Sequence, residues 1–112
     1  MLIIHTTTPT KKEAKRLIKL LLESSLVACA QYCKITSQYV WQDSKAKNID
    51  SKNKKKYCKQ REYLLILKTL KENYNEIEKL LLNKHSYEVP EIIAFEAKTH
   101  ESYNKWLQES CK

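Results

Sequence analysis

The chain has no glycine at all. That excludes every glycine-rich phosphate cradle, of the Walker or the dinucleotide type. Turns that need a positive φ must use Asn, Asp or Lys instead. The only prolines are Pro9 and Pro90. Pro9 ends a strand, because it cannot donate to a ladder. Pro90 pushes the residue before it into extended conformation. No apolar run approaches the ~18 residues of a membrane-spanning helix. The start, Met1 to His5, has neither a basic region nor a small-residue cleavage site, so no signal peptide is read there. The expectation is a cytoplasmic protein with no membrane partner. Its four cysteines, Cys29, Cys33, Cys58 and Cys111, show no CxxC spacing. In a reducing compartment they are thiols.

Hydrophobic residues make up 42% of 112, enough for one core and one domain spanning residues 1–112. The formal charge is +8, which invites a nucleic-acid partner. Its distribution argues against one. Ser44 to Arg61 holds seven lysines and one arginine against one aspartate, a net +7, leaving +1 for the rest. Tyr57 is its one aromatic, so it lacks the stacking platform of a single-strand binder. It reads as a solvated basic loop, an insertion that extends a hairpin.

The chain is organised around Glu62 to Thr69. Tyr63 to Leu67 are apolar without a break, which suits a central strand covered on both faces. Leu2–Thr7 is the first strand. Thr10 and Glu13 match a capping box that opens a helix, with Ala14, Leu17, Ile18 and Leu21 as its apolar stripe. This helix ends near Ser24-Ser25. Leu26 to Trp41 reads as a long, bulged strand. A second helix covers Lys71–Lys84, capped by Asn73 with Glu76 or by Thr69 with Glu72. Ile92–Ala97 is the last strand, and a short helix follows from Glu101. The order strand, helix, strand, strand, helix, strand predicts an α+β, ferredoxin-like β-α-β-β-α-β sandwich with a short C-terminal helix. Both long helices then share one face of the sheet. The other face is left open, so association is expected.

Several stretches resemble one family. Leu26-Val-Ala-Cys29 is similar to its Leu-Ala-Ala-Cys, and Ser37-Gln-Tyr-Val-Trp41 to its Ser-x-Tyr-x-Trp. Glu62 to Thr69 matches a Glu-led apolar strand ending in Lys-Thr. His85-Ser-Tyr-Glu-Val-Pro-Glu91 is similar to His-Pro-Tyr-Glu-Val-Pro-Glu, and Tyr103-Asn-Lys-Trp106 to a closing Tyr-x-x-Trp. These stand in the order seen in the CutA divalent-cation tolerance family. The resemblance implies a homotrimer formed by edge pairing of strands, like the signalling protein PII in fold. It also implies a cytoplasmic role in tolerance of copper and other divalent ions. Three departures stand out. Ser86 replaces the usual proline, which is expected to loosen the turn after His85. The hairpin glycines are gone. The hairpin carries a lysine-rich insertion, residues 44–61.

Cys29, His85, Glu88 and Glu91 are metal ligands by type. Thiolate and imidazole suit copper, and carboxylates suit harder divalent cations. On a strand, Cys29 and Cys33 share a face ~13 Å apart, too far to hold one ion. A trimer offers a way to bring Cys29 of one chain near His85 of another. The alternative is that His85, Tyr87 and Glu88 form a hydrogen-bonded corner. A second class of function is small-molecule sensing of PII type, with Lys68, Tyr39, Trp41 and His85 lining an intersubunit cleft for an anionic ligand. Catalysis is not expected: a Cys–His pair is nucleophilic by type, but no third, orienting group accompanies it.

Overall fold

The computed structural model describes residues 1–42 and 55–111. Its elements run β1 (Leu2–Thr8), α1 (Lys11–Glu23), β2 (Cys29–Gln42), β3 (Lys55–Thr69), a 3₁₀ turn (Lys71–Asn73), α2 (Tyr74–Lys84), β4 (Ile93–Glu96) and α3 (Glu101–Ser110). The sheet is antiparallel throughout, in the order β2-β3-β1-β4. The expected element order is therefore observed, with Glu62–Thr69 central as read.

Side chains alternate across a strand, so the register sorts the sheet into two faces. Leu2 pairs with Thr69 and Ile4 with Leu67, which puts Leu2, Ile4, Leu65, Leu67 and Thr69 on one face. All are buried. Ala14, Leu17 and Leu21 of α1 and Ile77 and Leu81 of α2 complete that core. Both helices thus cover one face. On the opposite face stand Ile3, His5, Leu64, Ile66, Ile93 and Phe95, half-buried or exposed, with Phe95 43% exposed. The apolar run of β3 has one covered face and one open face in the single chain.

Several local expectations are corrected. β2 carries no bulge: Cys29 to Gln42 pair without a break against Lys68 to Lys55. β3 begins at Lys55, so Lys55–Arg61, read as solvated loop, is strand. Cys58 accordingly sits in a strand, opposite Tyr39. The rest of that insertion, with Asp43 before it, lies outside the described residues. Thr10 caps α1, its side chain accepting from the Glu13 N–H at 3.2 Å, but Glu13 does not return the bond. The positive φ after α1 falls on Ser25, at 60°, not on Asn, Asp or Lys. Asn73 occupies the position before α2 yet makes no cap bond. Its side chain donates instead to the Leu26 carbonyl at 3.1 Å, and the Thr69 hydroxyl donates to the same oxygen. A buried carbonyl at a chain reversal needs donors, and that demand outranks the cap.

Beyond Thr8 and Tyr63, β1 no longer accompanies β3. From Ile35 and Glu62 outward, β2 and β3 continue as a two-stranded ribbon. At ~3.3 Å per residue it projects roughly 25 Å from the body. The molecule is accordingly elongated, 57 × 26 × 24 Å.

Candidate functional site

The ribbon and the segment after α2 meet at a cleft. β2 and β3 place Tyr39, Trp41, Cys58, Gln60 and Glu62 on the open-face side of the ribbon. Tyr87 to Val89 and Glu91 close the other wall, with Thr7 at the base. The cleft is open to solvent on one side and has a volume of about 630 Å³, within the usual range for small-molecule sites.

Residues 84–86 are held from below by α1. The Glu13 carboxylate accepts from the Ser86 N–H at 2.8 Å and from the Ser86 hydroxyl at 2.7 Å. Arg16 pairs with Glu13 at 3.4 Å and donates to the Lys84 carbonyl at 2.9 Å. The carboxylate that was expected to close the α1 cap is used here. The expected loosening by Ser86 is also corrected. Proline has no N–H and could make neither bond; serine ties the turn to α1 twice.

His85 is spent on this corner. Its Nε2–H donates to the Thr7 carbonyl at 2.7 Å, and its Nδ1 accepts from the Tyr87 N–H at 3.0 Å. A carbonyl only accepts and an amide N–H only donates, so the tautomer follows. The Tyr87 ring packs against His85, with centroids 5.0 Å apart.

From Tyr87 a directed chain of hydrogen bonds crosses the cleft floor. The Tyr39 hydroxyl donates to Gln60 Oε1 at 2.7 Å. Gln60 Nε2 donates to the Tyr87 hydroxyl at 2.8 Å. The Tyr87 hydroxyl donates to Glu62 Oε2 at 2.7 Å. Glu62 ends the chain and is only 6% exposed. Both tyrosines are held protonated beyond their ordinary range. Burial is the first cause for each, followed for Tyr87 by its bond to the Glu62 carboxylate and for Tyr39 by neighbouring Cys58. Negative charge on either ring oxygen is doubly disfavoured.

The expected ligand residues are scattered within one chain. Cys29 pairs with Lys68 at the far end of β2, whereas His85 sits beside Thr7, near the opposite end of β1. Glu88 lines the cleft, and His85 does not. Among the described residues, no three His, Cys, Asp or Glu side chains come together as a metal set. Cys29, His85 and Glu88 therefore do not form an ion site inside a single chain. Tyr39 and Trp41 do line one cleft, but Lys68 does not join them. It lies opposite Cys29, ten residues back along β2, or about 33 Å. Lys68 instead sets its Nζ 5.9 Å from the centre of the Tyr103 ring of α3. Beside it, Cys111 Sγ lies 4.0 Å from Thr69 Oγ1, and burial pushes the Cys111 thiol up. The hydrogen-bonded corner read from the sequence is observed for His85 and Tyr87; what sequence reasoning missed is Gln60 and the Tyr87 hydroxyl's place between Gln60 and Glu62. A glutamate heading an apolar strand was the available signal: a carboxylate there needs a donor, and the tyrosine after His85 supplies one.

Comparison with known proteins agrees over nearly the whole chain. Residues 2–110 match the model of the CutA1 divalent ion tolerance protein family. The divalent-cation tolerance protein CutA of Pyrococcus horikoshii is 31% identical, covering 100% of this chain and 99% of its own. A probable CutA homologue from Encephalitozoon cuniculi is 32% identical, over 96% of this chain and 84% of its own. The crystal structure of CutA1 from Pyrococcus horikoshii superposes with a TM-score of 0.86 at 30% identity, covering 100% and 99%. That of CutA1 from Oryza sativa gives 0.82 at 28%, covering 99% and 93%.

Proposed function

Since the chain belongs to the CutA1 divalent ion tolerance protein family, we propose that it acts in tolerance of divalent cations, copper among them, as a cytoplasmic homotrimer that binds the ion between subunits. The protomer is ferredoxin-like and the assembly PII-like in this reading, and the protein is a binding and response protein, not an enzyme. No helix among the described residues is long and apolar enough to cross a membrane.

The observation that carries the proposal is the unaccompanied ribbon beside an open sheet face. Two strands alone are marginally stable in water. This ribbon exposes Tyr39, Val40 and Trp41, and the sheet adds Ile93 and Phe95. So much apolar surface outside the core supports burial against other copies, and a closed ring satisfies every copy at once. The scattering of Cys29, His85 and Glu88 supports the second half. An ion that uses Cys29 together with His85 takes its ligands from more than one subunit. Cys29 is the soft ligand best suited to copper. His85 must release the Tyr87 amide to take part.

Copper(I) titration of the assembled protein tests the reading. Binding weakens about tenfold or more in Cys29→Ser and His85→Ala and is unchanged in Cys111→Ser. Equal binding by all three variants refutes it. A second reading is a PII-like sensor of small molecules without a physiological metal, favoured by the 630 Å³ cleft. Titration with nucleotides and metabolites in the absence of metal separates the two.

A further inference from the structure

We propose that the basic side of the β2–β3 ribbon enters the major groove of duplex DNA. The register sorts the ribbon into two unlike sides. One carries Tyr39, Trp41, Cys58, Gln60 and Glu62 and faces the cleft. The other carries Lys34, Thr36, Gln38 and Val40 on β2, opposite Tyr63, Arg61, Lys59 and Tyr57 on β3. Among the described residues, no carboxylate stands on this second side. Lys34, Lys59 and Arg61 are exposed, and among the described residues none of them is in an ion pair.

The basic side continues the helix-covered face, because Tyr63 packs against the core. α1 lies on that face and begins at the foot of the ribbon: it opens at Lys11, just after Thr8, which pairs with Tyr63. Lys11 and Lys12 are exposed. The carboxylate beside them, Glu13, is buried and held by Ser86. Cations thus run from the start of the helix onto the ribbon. Assembly leaves this side in water. Identical copies bring identical charges to an interface, and burying an unpaired cation is costly. The rings offered to other copies, Tyr39 and Trp41, stand on the opposite side.

Shape and residue type select duplex DNA among polyanions. A two-stranded ribbon fits the ~12 Å major groove, and this one is unaccompanied for roughly 25 Å. Its cations are interleaved with Thr36 and Gln38. Arg and Lys suit guanine edges, Gln suits adenine, and Thr suits the thymine methyl. A membrane surface calls on charge and gives such groups nothing to read. Strand pairing also holds the cations in fixed register, as a loop would not. The missing stacking platform excludes a single-strand mode, and a groove reader needs none.

The test is fluorescence anisotropy of the assembled full-length protein with a labelled DNA duplex of about 20 base pairs, between about 50 and 200 mM salt. The expected result is saturable binding whose affinity falls steeply with salt. The triple variant Lys34→Gln/Lys59→Gln/Arg61→Gln weakens it at least tenfold and flattens the log–log salt slope by about 2–3, near 0.9 per lost phosphate contact. Lys59→Gln alone flattens it by about 1 and carries the test should light scattering show that the triple variant fails to assemble. Lys105→Gln, exposed on α3, changes neither. An RNA duplex of the same length binds at least tenfold more weakly, because its major groove is too narrow for side chains. An unaltered slope in the ribbon variants, or equal affinity for the RNA duplex, overturns the proposal. So does tighter binding to phosphatidylserine vesicles than to DNA, which makes the partner a membrane.

Discussion

Replacing Tyr87 by phenylalanine removes one oxygen that serves two partners. The hydroxyl donates to Glu62 at 2.7 Å and accepts from Gln60 at 2.8 Å. A hydrogen bond to a charged group contributes ~1.5–3 kcal/mol and a neutral one ~0.5–1.5. Simple addition gives about 2–4.5 kcal/mol. Tyr87 is only half-buried, so water repairs part of the loss at Gln60. Glu62 cannot be repaired as easily, because it is 6% exposed. The expected destabilisation is therefore about 2–3 kcal/mol, with most of it owed to the stranded carboxylate. Urea denaturation at neutral pH and fixed protomer concentration measures it, since assembly makes stability depend on concentration. The double variant Tyr87→Phe/Glu62→Gln sharpens the reading. If the stranded charge is the cause, adding Glu62→Gln costs little further, and the coupling energy is at least ~1 kcal/mol. A loss below ~0.5 kcal/mol for Tyr87→Phe, or strict additivity in the cycle, refutes the account.

Other outcomes follow from the same geometry. Light scattering gives about three times the 13.3 kDa chain mass for the native protein, and Trp41→Ala yields monomers or aggregates; an intact trimer of near-normal stability in the variant counts against an interface role for Trp41. Glu13→Gln leaves one of the two Ser86 donors without an acceptor at ~1–3 kcal/mol, and amide exchange at Ser86 and Tyr87 accelerates relative to α1; unchanged exchange there means the tie to α1 is dispensable. Stability falls in alkali with a defined sign. The Tyr87 phenol is raised above its ordinary value of 10.0 in the folded state, first by burial and then by Glu62. Its contribution is complete below about pH 10 and is lost as pH rises through the folded value. Melting temperature above pH 10 therefore drops more steeply in the native protein than in Tyr87→Phe, and parallel curves refute the assignment.

Much of the architecture was legible in the sequence because it rests on local pattern. The stripe Ala14, Leu17, Leu21 places α1, and the apolar run of β3 places the sheet centre. The strand reading of Cys29 and Cys33 also holds, since both lie in the unbroken β2. What escaped were decisions taken between distant segments. Glu13 looks like a capping-box partner three residues from Thr10, but Ser86, far along the chain, outbids the cap with two donors. Asn73 looks like a cap, but the Leu26 carbonyl claims it. The lysine-rich stretch looks like loop by composition. Lys55–Arg61 is nonetheless strand, because Thr36–Gln42 offers it a complete ladder. At the site, residue types pointed to Cys29, His85 and Lys68; the register puts Cys29 opposite Lys68, while His85 lies beside Thr7, near the other end of β1. Tyr39 and Trp41 stay together because they lie two residues apart on one strand.

The unbroken pairing of β2 with β3 makes the ribbon a ruler graduated in steps of two. Which side a residue faces is decided once, at Cys29 opposite Lys68, and is carried unchanged to Trp41 opposite Lys56. One edge of the ruler reads Tyr39, Trp41, Cys58, Gln60, Glu62; the other reads Lys34, Lys59, Arg61. Inserting or deleting a single residue in β2 between Cys33 and Tyr39 would exchange the two readings on that strand, turning aromatic rings outward and presenting Gln38 and Val40 to the cleft. Two-residue changes would slide the scale without inverting it. Length variation in this arm is thus quantised: even steps preserve the cleft, and odd steps erase it.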